Sequence, residues 1–394
     1  MNAPVKQHLI DPEICIRCHA CEEACSIDAI THNDDNVVVD FDKCKFCMDC
    51  MGPCPTGAID NWRAVESPWS LDDQFEWMEL PEQEELESSS ATIEALDEDI
   101  EELLKKAHSG AGGSAKAPHS ASKPHINLHN AANPVTAIVQ GNVRLTEEGG
   151  DGDVRHIILN FGDQSFPVLE GQCIGIIAPG TDKDGKPHLP RLYSISSPRD
   201  GERPNTNNLS LTVKREAKGV CSNYVCDLQR GDEVRITGPF GSTFLMPDDP
   251  QAHIVMICTG TGSAPFRAFT MRRQRTTPDA KDRLTLFFGA RNLESLPYFG
   301  PLKKVPDSFM QKHFCLSRAK DKPKEYVQDR LIGEKKKMAE LLNSPDTYIY
   351  VCGLKAMEEG VEKAFADIAE SSGLDWSEIR RIMREGGRYH VETY

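Results

Sequence analysis

C-I-R-C-H-A-C-E-E-A-C runs from Cys15 to Cys25, and C-K-F-C-M-D-C-M-G-P-C-P from Cys44 to Pro55. Both stretches carry four cysteines in the spacing C-x2-C-x2-C-x3-C. Three thiolates so close together on one loop hold three corners of an iron–sulfur cube, and the fourth is turned away to ligate the other cube. Cys15, Cys18, Cys21 and Cys54 are therefore assigned to one 4Fe–4S centre, and Cys44, Cys47, Cys50 and Cys25 to a second. Zinc knuckles and a disulfide framework are the alternatives. Zinc sites usually pair two C-x2-C units or include histidine, without a fourth cysteine three residues on. A disulfide scaffold calls for a secreted chain. Cys54 is followed by Pro55 but Cys25 by Ser26, so a looser turn is expected after Cys25.

Outward from the cysteines the chain repeats itself. Cys15 to Cys44 and Cys25 to Cys54 are each 29 residues apart, and S-I-D-A-I after Cys25 echoes P-T-G-A-I after Cys54. Val37–Val39 reads as a strand beside the turn N-D-D-N. Residues 1–62 are thus expected to form a ferredoxin-like two-cluster domain, with a core so small that its inorganic centres hold it together. This part resembles the bacterial two-cluster (2×4Fe–4S) ferredoxins.

At 394 residues the chain suits two or three domains. Its net charge of −16 is unevenly placed: residues 1–131 hold 9 Lys and Arg against 26 Asp and Glu, and the remainder holds 36 against 35. The excess acid argues against nucleic-acid binding there and fits an electron carrier that docks on a basic surface, or one merely kept soluble. Eight of the 14 cysteines are proposed ligands; Cys173, Cys221, Cys226, Cys258, Cys315 and Cys352 are scattered, as reduced thiols would be. The start M-N-A-P-V-K-Q-H-L-I-D lacks the apolar core of a signal peptide, and no apolar run approaches the ~20 residues that span a bilayer. A cytoplasmic protein with no membrane contact is expected.

Residues 63–131 are expected to be an acidic helical segment and a flexible linker. Trp69, Phe75 and Trp77 are too many aromatics for a plain tether and should dock on a neighbouring domain. Ile93, Leu96, Ile100, Leu103 and Leu104 fall on one helical face. Residues 108–131 are small, polar and rich in Gly and Pro, the composition of a flexible tether.

From 132 to 249 six short alternating segments predict an antiparallel β-barrel: V-T-A-I-V, V-R-H-I-I-L-N, C-I-G-I-I, L-Y-S-I-S, L-S-L-T-V and E-V-R-I-T. From 250 to 394 the apolar strands H-I-V-M-I-C, L-T-L-F-F, H-F-C-L-S and T-Y-I-Y-V alternate with helical stretches, which predicts a parallel α/β domain. The fold class is accordingly multidomain, α+β and α/β.

Several motifs sit at the strand ends. R-L-Y-S (Arg191, Leu192, Tyr193, Ser194) supplies a cation, a flat ring and a hydroxyl, which are what a flavin needs, although alone it reads as an ordinary strand. In G-V-C-S (Gly219, Val220, Cys221, Ser222) a glycine turn opens a helix whose free N–H groups, with Ser222, suit a pyrophosphate; taken alone, it is a helix cap. C-T-G-T-G-S-A-P-F-R places Thr259, Gly260, Thr261, Gly262 and Pro265 between a strand and a helix, as a dinucleotide loop requires. S-R-A-K-D-K-P-K-E-Y brings Ser317, Arg318, Lys324 and Tyr326 to another strand end with no acid for ribose hydroxyls, which favours NADPH over NADH. V-C-G-L-K-A-M-E holds Cys352, Gly353 and Met357; a strand-end cysteine is by itself a buried thiol. V-E-T-Y ends the chain with Glu392 and Tyr394, where an aromatic is ordinarily frayed.

In this order the motifs resemble the plant-type ferredoxin–NADP reductase family over residues 133–394. The resemblance implies FAD and NADPH as cofactor and cosubstrate. It implies that Tyr193 packs on the flavin, Arg191 faces its pyrophosphate and Ser194 approaches its N5. Ser317, Arg318, Lys324 and Tyr326 would hold the 2′-phosphate of NADP, and Cys352 would lie near the nicotinamide. Tyr394 would cover the flavin face, with Glu392 beside it. Ser194, Cys352, Glu392 and Tyr394 are thus the candidates for the hydride step. The family's adenine-stacking tyrosine loop is replaced by E-A-K, which leaves the adenine contact unassigned.

A two-cluster module fused ahead of such a reductase resembles the reductase components of benzoyl-CoA 2,3-epoxidase systems, which serve aromatic catabolism. That likeness implies a separate di-iron oxygenase as electron acceptor. The alternative is a general NADPH–ferredoxin oxidoreductase whose fused module serves another acceptor.

Overall fold

The computed structural model describes residues 5–47, 49–59, 61–65, 67–81, 102–106, 115–147, 152–182, 185–320 and 323–394. At the N-terminal end β1 (Val5–Leu9) pairs antiparallel with β4 (Asn61–Val65), and β2 (Ile30–His32) with β3 (Val37–Val39). Asn33 Oδ1 closes the β2–β3 turn by accepting from the backbone of Asp35 and Asn36. The apolar core here is small: Ile10, Ile30, Val37, Val39, Ala58 and Ile59 together with Cys21 and Cys50, and Cys15, Cys25, Cys44 and Cys54 pack against it. A short helix, α1 (Ala20–Glu23), carries the third cysteine of the first run, Cys21.

The next stretch docks on this unit. Gln7 exchanges two hydrogen bonds with the Trp69 backbone, each 2.8 Å, and Asn36 donates to the carbonyl of Trp77 at 2.7 Å. Ser70 caps α2 (Leu71–Phe75), whose buried Gln74 bonds both the N–H and the C=O of Val39. The aromatics therefore pack on the cluster-bearing unit, Trp69 meeting Trp77 edge-on at 5.4 Å. Ile93, Leu96 and Ile100 lie outside the described residues, whereas residues 102–106 are helical.

A free tether over 108–131 is not what the structure shows for residues 115–131, which are laid along the surface of the reductase part. Asn127 and His129 donate to Pro239 and Gly238, Gln172 donates to His125, and the Ser122 hydroxyl bonds Asp248. Small side chains read as flexibility in the sequence; here they allow the chain to lie close to the sheet.

β5 (Val135–Arg144), β6 (Val154–Asn160), β7 (Cys173–Ile176), β8 (Arg191–Ser194), β9 (Asn208–Lys214) and β10 (Glu233–Phe240) form an antiparallel sheet in the order β8-β7-β10-β5-β6-β9. All six strands were expected. The two ends of the sheet meet, because Ile195, just past β8, bridges to Leu211 in β9. The enclosed side chains include Ala137, Ile157, Leu159, Ile174, Leu211 and Ile236, all fully buried, and α3 (Val220–Asp227) covers one end.

β11 (His253–Thr259), β12 (Leu284–Ala290), β13 (Met310–Leu316), β14 (Thr347–Gly353) and β15 (Tyr389–Thr393) form a parallel sheet in the order β13-β12-β11-β14-β15. Its helices are α4 (Ala264–Thr276), α5 (Phe299–Lys304), α6 (Val327–Gly333), α7 (Lys335–Leu342), α8 (Lys355–Ser371) and α9 (Trp376–Glu385). The strand order reverses at β11, so the crevice beyond its C-terminal end is where such sheets take ligands. One strand was missed. The C-terminal Y-H-V-E-T is not a loose tail but β15, paired with β14 so that Glu392 stands opposite Cys352.

A polar network joins the two sheets. Arg267 on α4 donates to Ser196 O at 2.7 Å and to both oxygens of Glu202, at 2.8 and 3.0 Å. Glu202 also meets His156 Nε2 at 2.8 Å. Burial alone would push the Glu202 carboxyl up, but His156 and Arg267 hold it well below the usual range. Its stabilising effect is therefore present above the ordinary carboxylate pKa and is lost as pH falls below it. Arg267→Ala leaves that carboxylate buried and is expected to cost about 3–5 kcal/mol, read as a lower Tm at pH 7. The Tm difference from the parent should narrow in acid.

Candidate functional site

The crevice at the end of β11 is a cavity of about 1350 Å³. From the antiparallel sheet Arg191, Leu192, Tyr193 and Ser194 line it, with Gly219, Val220, Cys221 and Ser222 at the start of α3. From the parallel sheet come Thr259, Gly260, Thr261, Ser317, Tyr326, Cys352, Met357, Glu392 and Tyr394. Segments up to 200 residues apart in the sequence thus converge on one space. Gly262, Pro265, Arg318, Lys324 and Gly353 are not among the lining residues.

Of these, Gly262 and Gly353 act through the backbone. A Cβ at Gly262 would stand 2.1 Å from the Cys352 carbonyl oxygen, and one at Gly353 (φ 141°) would stand 2.6 Å from Thr259 Oγ1. Glycine is required at both positions because the loops after β11 and β14 touch main chain to main chain. Pro265 sits in the first turn of α4, where a missing N–H costs nothing. Arg318 is exposed, and Lys324 Nζ lies over the Tyr326 ring, 4.5 Å from its centroid.

Tyr394 is held at two points. Its N–H donates to Gly353 O at 3.0 Å, and its hydroxyl meets Thr261 Oγ1 at 2.6 Å. The residue as a whole is nonetheless 64 % exposed, and it lines the cavity. Cys352 is buried, and burial together with the nearby Glu392 charge keeps its thiol protonated. Glu392 exerts the same influence on Cys173, the β7 partner of Ser194. The carboxylate thus stands where the two sheets meet. Tyr193 is partly buried, its hydroxyl against Cys221, and desolvation raises its pKa.

These residues fit a flavin dinucleotide. Arg191 lines the cavity without a side-chain hydrogen bond or ion pair among the described residues. α3 begins at Gly219 with no side-chain cap, so its first N–H groups remain available to an anion. The Ser222 hydroxyl is used differently from the sequence expectation: it accepts from Glu216 N and donates to Gly219 O, closing the turn. Sequence reasoning missed Cys173, Lys214 and the linker residues Leu103 and Leu104, all of which line the cavity. The apolar helical periodicity of the linker was visible, but not its destination.

In the N-terminal unit Cys21 and Cys50 are buried, Cys18 and Cys47 exposed, and all eight cysteines are free thiols. Burial raises Cys15 and Cys21, the latter to about 11, with the Cys54 thiol adding to both shifts. Burial likewise raises Cys44, with Cys47 and Cys25 adding to it. The thiols act on one another within Cys15, Cys18, Cys21, Cys54 and within Cys44, Cys47, Cys50, Cys25, and Cys21 also acts on Cys50 across the two sets. This four-sulfur donor set fits the expected crossed ligation of two 4Fe–4S clusters.

Comparisons with known proteins agree with both halves. A family model described as a 4Fe-4S binding domain matches residues 8–31 and 37–60, and one described as an oxidoreductase NAD-binding domain matches residues 256–363. The ferredoxin–NADP reductase of the Cyanophora paradoxa cyanelle is 42% identical over 288 residues, covering 68% of this chain and 79% of the relative. That of Thermosynechococcus vestitus is 41% identical over 290 residues, covering 68% and 75%. Among solved structures, ferredoxin-NADP+ reductase from Plasmodium falciparum has a TM-score of 0.55 at 26% identity, covering 68% of this chain and all of that one. The same enzyme has been solved with 2'P-AMP, with a TM-score of 0.53 to this chain.

Substituting Cys54→Ser is expected to remove the cluster that also uses Cys15, Cys18 and Cys21, leaving about half the iron per chain. Iron and sulfide analysis of the purified variant checks this. Gly262→Val should lower kcat/KM for NADPH at least ~10-fold by forcing the β14 loop outward, read by steady-state kinetics with a soluble dye acceptor.

Proposed function

We propose, for a chain that belongs to the ferredoxin–NADP reductase family, that its role is to draw electrons from NADPH and deliver them to a separate di-iron oxygenase that epoxidises benzoyl-CoA. The coarser identity is plain: it is an NADP-dependent oxidoreductase that carries FAD and two 4Fe–4S clusters. When bound, the flavin accepts a hydride from the nicotinamide and releases single electrons, and the clusters carry one electron each at low potential.

The remaining work is done by side chains that hold and shield. Arg191 and the α3 N-terminus bind the pyrophosphate, and Tyr193 gives the flavin a flat wall. The Ser194 hydroxyl supplies a hydrogen bond at the reactive nitrogen. Tyr394, tethered through Thr261, occupies the face that the nicotinamide must reach, so it must swing aside for the cosubstrate. Cys352 stays a neutral thiol and packs beside the nicotinamide, while Glu392 places a carboxylate at the same spot. Ser317, Arg318, Lys324 and Tyr326 receive the 2′-phosphate; the 2'P-AMP complex of the Plasmodium enzyme supports a site for that group in this fold. The chain divides into a two-cluster unit (1–62), a linker (63–131), a flavin barrel (132–249) and a nicotinamide unit (250–394).

One observation carries the proposal. The cluster-bearing unit is joined to the reductase and touches it, since a Cβ at Gly52, between Cys50 and Cys54, would meet Asn205 Oδ1 at 3.1 Å. A reductase with its carrier built in has no need of free ferredoxin and implies a dedicated acceptor. The deciding experiment adds benzoyl-CoA to the purified chain together with its oxygenase. Faster NADPH oxidation supports the proposal; an unchanged rate, with free ferredoxin or another acceptor reduced instead, favours the general oxidoreductase. Cys18→Ser and Cys47→Ser should keep NADPH–ferricyanide activity within about 2-fold and lose at least ~10-fold in transfer to the oxygenase. Ser317→Asp should lower kcat/KM for NADPH by ~100-fold or more and spare NADH.

A further inference from the structure

Three side chains in the first cysteine run and on β2 are left unused by the clusters. His19 follows Cys18, Glu22 follows Cys21, and His32 ends β2. Glu22 Oε2 lies 2.7 Å from His32 Nδ1 and 3.2 Å from His19 Nδ1. The two imidazole rings are 4.1 Å apart between centroids and tilted by 55°. All three potential ligand atoms fall within 4.8 Å of one another.

We propose that His19, Glu22 and His32 form a binding site for one divalent first-row transition-metal ion, distinct from the two clusters. Two imidazoles and one carboxylate are the donor set with which proteins hold such ions while leaving a position open. Ligands ~2.0–2.2 Å from a common tetrahedral ion stand about 3.3–3.6 Å from each other; the 3.2 Å spacing to His19 is near that, and the 2.7 Å spacing to His32 would open by less than about 1 Å to admit the ion. A hydrogen-bonded triad explains the geometry less well. One carboxylate oxygen faces two imidazoles, and two charged rings whose centroids lie 4.1 Å apart would repel. A cation uses the lone pairs of both.

The internal repeat serves as a control. At an offset of 29 residues the second half places Met48, Met51 and Asn61 where the first has His19, Glu22 and His32. The cluster fold is thus built once without this trio, so building a cube does not require it. Its position between the cysteine loop and β2 would let a bound ion tie the two together. A positive charge beside the Cys18 and Cys21 thiolates would also raise the potential of the nearer cluster.

The full-length protein, with both clusters loaded, is stripped with a chelating resin and titrated anaerobically with Zn2+ by calorimetry. One ion per chain is expected, with His32→Ala and Glu22→Gln each binding at least tenfold more weakly at unchanged iron and sulfide content. Glu22→Gln keeps the reading available should His32→Ala load its clusters poorly. X-ray absorption of the zinc-loaded protein should show a nitrogen and oxygen shell. Absence of binding, equal affinity in the parent and both variants, or a sulfur-dominated shell would each overturn the proposal.

Discussion

Two backbone loops pressed together without room for a side chain hold the cleft in place. Gly262 meets the Cys352 carbonyl and Gly353 meets Thr259 because β11 and β14 run side by side, with Cys258 opposite Cys352. From that contact the rest of the nicotinamide side follows. Gly353 O receives the Tyr394 N–H, and Thr261, one residue before Gly262, receives its hydroxyl. A terminal residue that would ordinarily fray is thereby placed to within hydrogen-bond tolerance. The opposite wall is set by Arg267 and Glu202, which lock the parallel sheet against the antiparallel one. Tyr193 and Ser194 then face Cys352 and Tyr394 across one cavity. The geometry of the cleft is a consequence of how two sheets are clamped together.

The cluster-bearing unit obeys different physics. Its apolar core is a handful of side chains around two short hairpin-like pairings, too little to order eight thiols unaided. Ligation of the clusters therefore contributes to folding as well as to electron transfer. Its docking is polar: Gln7 and Asn36 satisfy backbone groups of the segment that follows, and Gln74 of that segment satisfies the backbone of Val39. Nearly all the excess acid of the chain also lies on this unit and its linker, so a basic acceptor would be steered to the end that holds the clusters.

Much of this was legible in the sequence because period and spacing encode local physics directly. All six antiparallel strands alternate with period two, and the four parallel strands before β15 are apolar runs bounded by helical segments. The cysteine spacing marked both 4Fe–4S motifs, the two stretches that the 4Fe-4S family model matches. β15 escaped notice because its H-V-E-T mixes polar and apolar residues and pairs on one side only, at the sheet edge. Residues 115–131 were read as free because small residues signal flexibility, although the same residues also permit close packing. Ser222 was expected to hold phosphate, yet its hydroxyl closes its own turn. Such choices between equally available partners are made by tertiary structure, and no local pattern records them. The contribution of Leu103 and Leu104 to the cleft is a long-range contact of the same kind.

The central claim is that electrons taken from NADPH at the cleft reach both iron–sulfur clusters of the same chain. An anaerobic NADPH titration followed by visible absorption and low-temperature EPR tests it most directly. The account predicts that the flavin band bleaches and that reduced-cluster signals then grow, in both clusters, without any added carrier. A bleached flavin beside clusters that stay oxidised until an external mediator is supplied would contradict it.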